Sequence, residues 1–152
     1  EDPGAITQHA PPPPVSDEAM LSAGPTGANL TLEELATASG LPLDQLRELE
    51  RSGFITGRPV AGTTLYDEEA LVVANLAAGF ARFGIEARHL RLYKNAAERE
   101  AGLFEQVVTP LLKQRNPQAR GQATEALGDL SHLGQRLRAA MLRQAVKAIT
   151  GG

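Results

Sequence analysis

Helix stops and starts crowd the region between Thr31 and Gly84, and their spacing leaves room only for short helices and one small hairpin. "LTLEELATASG" opens with Thr31 as an N-cap and carries Glu34 three residues on as its capping-box partner, with Leu30 and Leu35 placed for a hydrophobic staple. Leu32, Leu35 and Ala36 form its buried stripe, and Gly40 ends it as a left-handed stop. Pro42 starts a second helix at its first turn, where a missing N–H costs nothing. Leu43, Leu46 and Leu49 mark the inner face of that helix, and Gly53 closes it. Two short helices across a glycine-containing turn read as a helix-turn-helix.

After Gly53, "FI" and "TLY" are β-prone pieces separated by the turn-rich "TGRPVAGT", which predicts a small two-stranded wing. Asp67 caps the next helix, with Glu68 and Glu69 at its positive end. That helix is expected to run to Phe83, to stop at Gly84, and to be the central buried one, because Leu71, Val72, Val73, Leu76, Phe80 and Phe83 make it apolar on most sides. The helix "EARHLRLYKNAAERE" follows, then "LFEQVVTPLLKQ", bent at Pro110. Asn116 and Pro117 restart the chain as cap and first-turn residue of a last helix about thirty residues long. In it Ala123, Leu127, Leu130, Gly134, Leu137 and Met141 repeat at 4-3-4-3-4 spacing, a heptad-like seam that needs a partner. The predicted fold is mainly α: a degenerate winged helix-turn-helix with a two-stranded wing, followed by a helical extension ending in a long helix.

Composition divides the chain further. Residues 1–29 are rich in Pro, Gly and Ala and nearly devoid of large apolar groups, so they are expected to be a disordered linker; residues 30–150 form the folded domain. A chain that opens with Glu1 into such a linker suggests that an N-terminal domain precedes it. Residues 1–80 carry a net charge of −9 and residues 81–152 one of +6, an asymmetry that points to two surfaces with different tasks. There is no cysteine, so thiolate metal sites are excluded, and with three scattered histidines neither a His-rich metal site nor a cofactor is expected. No secretory signal is visible, and "ALVVANLAAGF" is far shorter than a membrane span, so a cytoplasmic protein without a membrane partner is expected. No Ser–His–Asp spacing or Gly-rich phosphate loop appears, which argues against an enzyme.

Residues Thr31 to about Leu92 resemble the MerR family of bacterial transcription regulators. There the helix-turn-helix ends in a pattern like L-R-Y-Y-E-x-x-G-L and the wing in G-Y-R-x-Y. The first stands here as Leu46-Arg47-Glu48-Leu49-Glu50-Arg51-Ser52-Gly53-Phe54 and the second as Gly62-Thr63-Thr64-Leu65-Tyr66, followed by an acidic-capped helix. The departures fall on the DNA side: Glu48 and Leu49 replace tyrosines, and Thr63 and Thr64 replace Tyr and Arg. Between Thr31 and Asp67 the basic residues are only Arg47, Arg51 and Arg58. DNA affinity rests largely on Lys and Arg neutralising phosphates, so a net negative recognition helix would be repelled. The later stretch "FGIEARHLRLYKNAAERE…VVTPLLK" is similar to the actinobacterial, cell-division-linked FtsR-like subgroup. There an orthodox head and a linker precede a C-terminal domain built as a second, degenerate winged helix.

The resemblance implies a C-terminal regulatory and dimerisation domain, with promoter DNA bound by the full-length protein. The family positions for DNA contact are Arg47, Arg51, Arg58 and Tyr66. Arg88, His89, Arg91 and Lys94 cluster near a helix start, where an acidic effector or a phosphate could be held. Leu127, Leu130, Leu133, Leu137 and Met141 form the expected homodimer seam, since MerR-type regulators act as dimers, while Arg136, Arg138 and Arg143 form a solvated face. Two alternatives compete with this reading. One is a direct DNA-binding winged helix using the basic half as a phosphate clamp. The other is a small-molecule effector sensor, and an unknown effector or protein partner fits the interaction-module reading too.

Overall fold

A computed structural model of the chain describes residues 29–151. The Pro-rich linker expected at 1–29 therefore lies outside the described residues except for Asn29. The chain divides into two compact units, one ending at Ala87 and the other running from Arg88.

Unit 1 has the winged helix-turn-helix arrangement: α1 (Leu32–Ser39), α2 (Leu43–Arg51), β1 (Arg58–Val60), β2 (Thr63–Leu65) and α3 (Glu68–Ala81). The local signals act where expected. Thr31 Oγ1 accepts the Glu34 N–H at 3.2 Å, and Asp67 accepts the Ala70 N–H at 2.9 Å. The Glu34 carboxylate closes its box on the Thr31 hydroxyl, at 3.1 Å. Pro42 stands one residue before α2, its carbonyl accepting from Gln45 and Leu46. Gly53 (φ 80°) ends that helix, with the Phe54 N–H donating back to the Leu49 carbonyl at 2.9 Å.

The hairpin is tighter than expected. β1 falls inside the stretch read as a turn, "FI" is not a strand, and the turn is the pair Ala61-Gly62, both at positive φ. That is the backbone of a two-residue turn whose twist suits the two strands, and it pairs Val60 with Thr63 and Arg58 with Leu65. Tyr66 then exchanges two main-chain bonds with Leu30, at 2.9 and 2.7 Å, which ties the start of the unit to the end of the wing.

The expectation for α3 needs correction. It ends at Ala81 rather than Phe83, and Gly84 turns the chain with Ile85 bonded back to the Phe80 carbonyl. None of its large residues is fully buried: Leu71, Val72, Val73 and Phe80 are half-buried. The face it buries is Ala70, Ala74 and Ala77, while Leu76 and Phe83 are exposed, Phe83 by 81 %. α3 packs against α1, and small side chains let two helices approach closely where leucines would hold them apart. Leu35, Leu41, Leu46, Leu49, Ile55 and Tyr66 complete the buried set of this unit.

Unit 2 is made of α4 (Ala87–Leu112) and α5 (Pro117–Thr150). The two helices expected between Glu86 and Gln114 are one: the chain passes through Gly102 without a break, and Pro110 lies in the last helical turn. An interior glycine costs a helix about 1 kcal/mol relative to alanine, too little to stop 26 residues. Asn116 caps α5, accepting the Ala119 N–H at 2.7 Å, with Pro117 at the first position. The helices meet where Gly134 of α5 leaves room for Glu100 and Phe104 of α4, and Glu100 accepts a hydrogen bond from Arg138. Arg138 is therefore paired across the two helices rather than simply solvated.

Candidate interaction surfaces

In unit 1, the start of α1, the outer side of α2 and strand β2 enclose a cleft of about 700 Å³. Arg47 and Glu50 of α2 line it from one side, Gly62 and Thr64 of the wing from another, and Glu33 from the first turn of α1. Tyr66 is buried beneath it, 3 % exposed, and its hydroxyl donates to the Glu50 carboxylate. Burial, reinforced by that hydrogen bond and by the negative charge of Glu50, pushes the phenol up to about 12, against a partial offset from Arg47. Gly57 lies so close under the sheet that a Cβ there would run into the Thr64 and Tyr66 side chains.

The four family positions for DNA contact are thus distributed unequally. Tyr66 faces inward. Arg51 is exposed but paired with Glu48 of its own helix at 2.5 Å, and Arg58 donates to the Asn29 side chain at 2.8 Å. Arg47 is exposed and makes no hydrogen bond or ion pair among the described residues. Sequence reasoning missed the Tyr66–Glu50 pair, because the partners are 16 residues apart and nothing local joins them.

In unit 2 the basic residues Arg88, His89, Arg91 and Lys94 stand on the first two turns of α4, and Lys94 is paired with Glu98. On α5 the inner stripe changes character along its length. Ala119 and Ala123 are buried and Ala126 and Leu130 half-buried, yet Leu133, Leu137 and Met141 on the same face are exposed, Leu137 by 64 %. From Ser131 to Thr150 every residue except Gly134 and Ala140 is exposed, and Leu142, Val146 and Ile149 add a second apolar row. α4 carries its own exposed row, Leu92, Leu103 and Val107, which sequence reasoning did not single out. Its spacing was readable, but whether a neighbour covers it depends on how the helices pack.

Among the described residues no cluster of His, Asp and Glu could hold a metal ion, and no helix is long and apolar enough to cross a membrane. The chain is 32 % identical over 134 residues to the "Uncharacterized HTH-type transcriptional regulator Rv1828" of Mycobacterium tuberculosis, and equally to the "Uncharacterized HTH-type transcriptional regulator Mb1859" of Mycobacterium bovis. Each alignment takes in 88 % of this chain and 52 % of the relative, so the chain spans about half the length of the curated relatives it matches. Over residues 28–150, which contain both the cleft and the exposed helix, the sequence fits one family model, and the chain belongs to the family described as Rv1828-like, C-terminal domain.

Proposed function

We propose that this domain pairs the protomers of a MerR-type transcriptional regulator of the FtsR-like kind, while promoter DNA is read elsewhere in the full-length protein. The observation that carries the reading is where the apolar surface lies. Twelve of the fifteen large apolar side chains left exposed among the described residues belong to unit 2, and seven of these stand on α5. A long helix that continues its inner stripe past the point where its neighbour covers it presents a self-complementary surface. A second copy related by a two-fold axis is the simplest cover for it. The head of unit 1 supports the same division of labour. Its recognition helix holds Asp44, Glu48 and Glu50 against two arginines, and phosphate contact needs the opposite balance.

Sedimentation velocity of this chain, with and without a generic DNA duplex, at low and at physiological salt, tests the proposal. A salt-resistant dimer that ignores the duplex is the expected result. Leu137→Arg, at an exposed position, should dissociate it without altering the helical content. A monomer that binds the duplex, and releases it as salt rises, would instead make the basic half a phosphate clamp.

A further inference from the structure

Among the described residues the wing carries an unpaired stretch of main-chain edge that opens into the unit 1 cleft. In the β1–β2 ladder Thr64 stands opposite Pro59, which has no N–H to give. The two-residue turn makes Val60/Thr63 and Arg58/Leu65 the bonded pairs, so the N–H and C=O of Thr64 project from the other edge of β2. Two residues further along, that edge is already in use, since Tyr66 exchanges both of its main-chain bonds with Leu30. Beyond Leu30 the chain turns away into α1, and Thr64 is left exposed at the cleft. An added strand in line with Leu30 would meet a donor and an acceptor at the right spacing.

The side chains around this edge favour one kind of strand. Arg51 is held by Glu48 and Glu50 by the Tyr66 hydroxyl, so Arg47 is the cleft cation with an uncommitted guanidinium among the described residues. Glu33 faces the same space from α1, and together with Glu50 it makes the cleft unwelcoming to a polyphosphate backbone. A single carboxylate set on Arg47 is accommodated, and its planar fork matches that group. We propose that this cleft docks an extended peptide segment of a partner protein, which pairs its main chain with Thr64 and places an acidic side chain on Arg47. The proposal concerns unit 1 alone and does not depend on how unit 2 associates.

Amide NMR titration of the full chain with the blocked peptide Ac-Thr-Val-Glu-Val-Thr-NH2 tests it. The expected result is a set of shifts confined to Thr63–Tyr66, Leu30–Glu33 and the exposed side of α2. Replacing the peptide Glu by Lys should weaken binding about tenfold, the worth of one charge-assisted contact. Arg47→Ala should make the two peptides equivalent. N-methylating the peptide residue that faces Thr64 should abolish the shifts, a control that leaves the protein untouched. Thr64→Pro should do the same from the protein side, since it removes the outward N–H and leaves the two bonded pairs of the β1–β2 ladder their donors and acceptors. Absence of shifts in the cleft, equal affinity of the Glu and Lys peptides, or undiminished binding of the N-methylated peptide would each overturn the proposal. Free glutamate reproducing the same shifts would overturn it in favour of a small-carboxylate site.

Discussion

Nine of the buried apolar side chains among the described residues lie in unit 1 and four in unit 2, whereas the large exposed apolar ones number three and twelve. The difference follows from architecture. Three helices and a wing can surround a centre, so Leu35, Leu46 and Leu49 are removed from water on all sides. Two helices meet along one seam only, and any apolar row off that seam stays in solvent. Unit 1 therefore has the makings of a self-sufficient small core, and unit 2 has those of half a bundle.

The sharpest way to break this comparison is to truncate a leucine in each unit. Leu46→Ala, at a site with no exposure, should cost about 3 kcal/mol by chemical denaturation, and a loss below about 1 kcal/mol would mean that unit 1 has no tight core. Gly57→Ala comes next: the new methyl meets Thr64 and Tyr66, and overpacking of this kind costs about 1–3 kcal/mol.

Tyr66→Phe should cost about 1 kcal/mol for the lost hydrogen bond. It also has a pH signature. The folded-state value, about 12, lies above the ordinary 10, so the native state holds the phenol proton more tightly. That contribution is fully present below pH 10 and is lost as the pH rises towards 12. The gap in stability between the parent and Tyr66→Phe should narrow over this window, and a gap independent of pH would show that Tyr66 does not titrate as a buried group.

In unit 2 the effects should be smaller. Gly134→Ala gains helix propensity but displaces the end of the Glu100 side chain from Arg138, so stability should stay within about 1 kcal/mol of the parent while the ion pair is lost. Leu137→Ala, at an exposed site, should move the stability of the monomer by no more than about 0.5 kcal/mol. If it instead lowers the midpoint in a concentration-dependent way, the stripe is covered by a second copy.

Much of this architecture was legible because its signals are local. The caps Thr31, Asp67 and Asn116 each bond an amide three residues ahead, and the glycine stops bond back across a single turn. Such bonds form whatever the rest of the chain does, so sequence spacing is enough to place them. The errors arose where the deciding neighbour was distant. "FI" was β-prone, but the pairing of Tyr66 with Leu30, 36 positions earlier, and the two-residue turn fixed which residues became strands. α3 was apolar all round, and its packing on α1 chose the alanine face over Leu76.

The candidate sites divide in the same way. The sequence by itself determined which residues are basic, where the helices begin, and that the last helix carries a heptad-spaced apolar row. Tertiary structure alone decided that Tyr66 turns inward to Glu50, that Arg47 is left uncommitted above a cleft, and that the row emerges into solvent from Leu133 onward. The reason is physical: a hydrogen bond within one turn depends on a few dihedral angles of one segment, whereas burial depends on which other segment comes to lie against it.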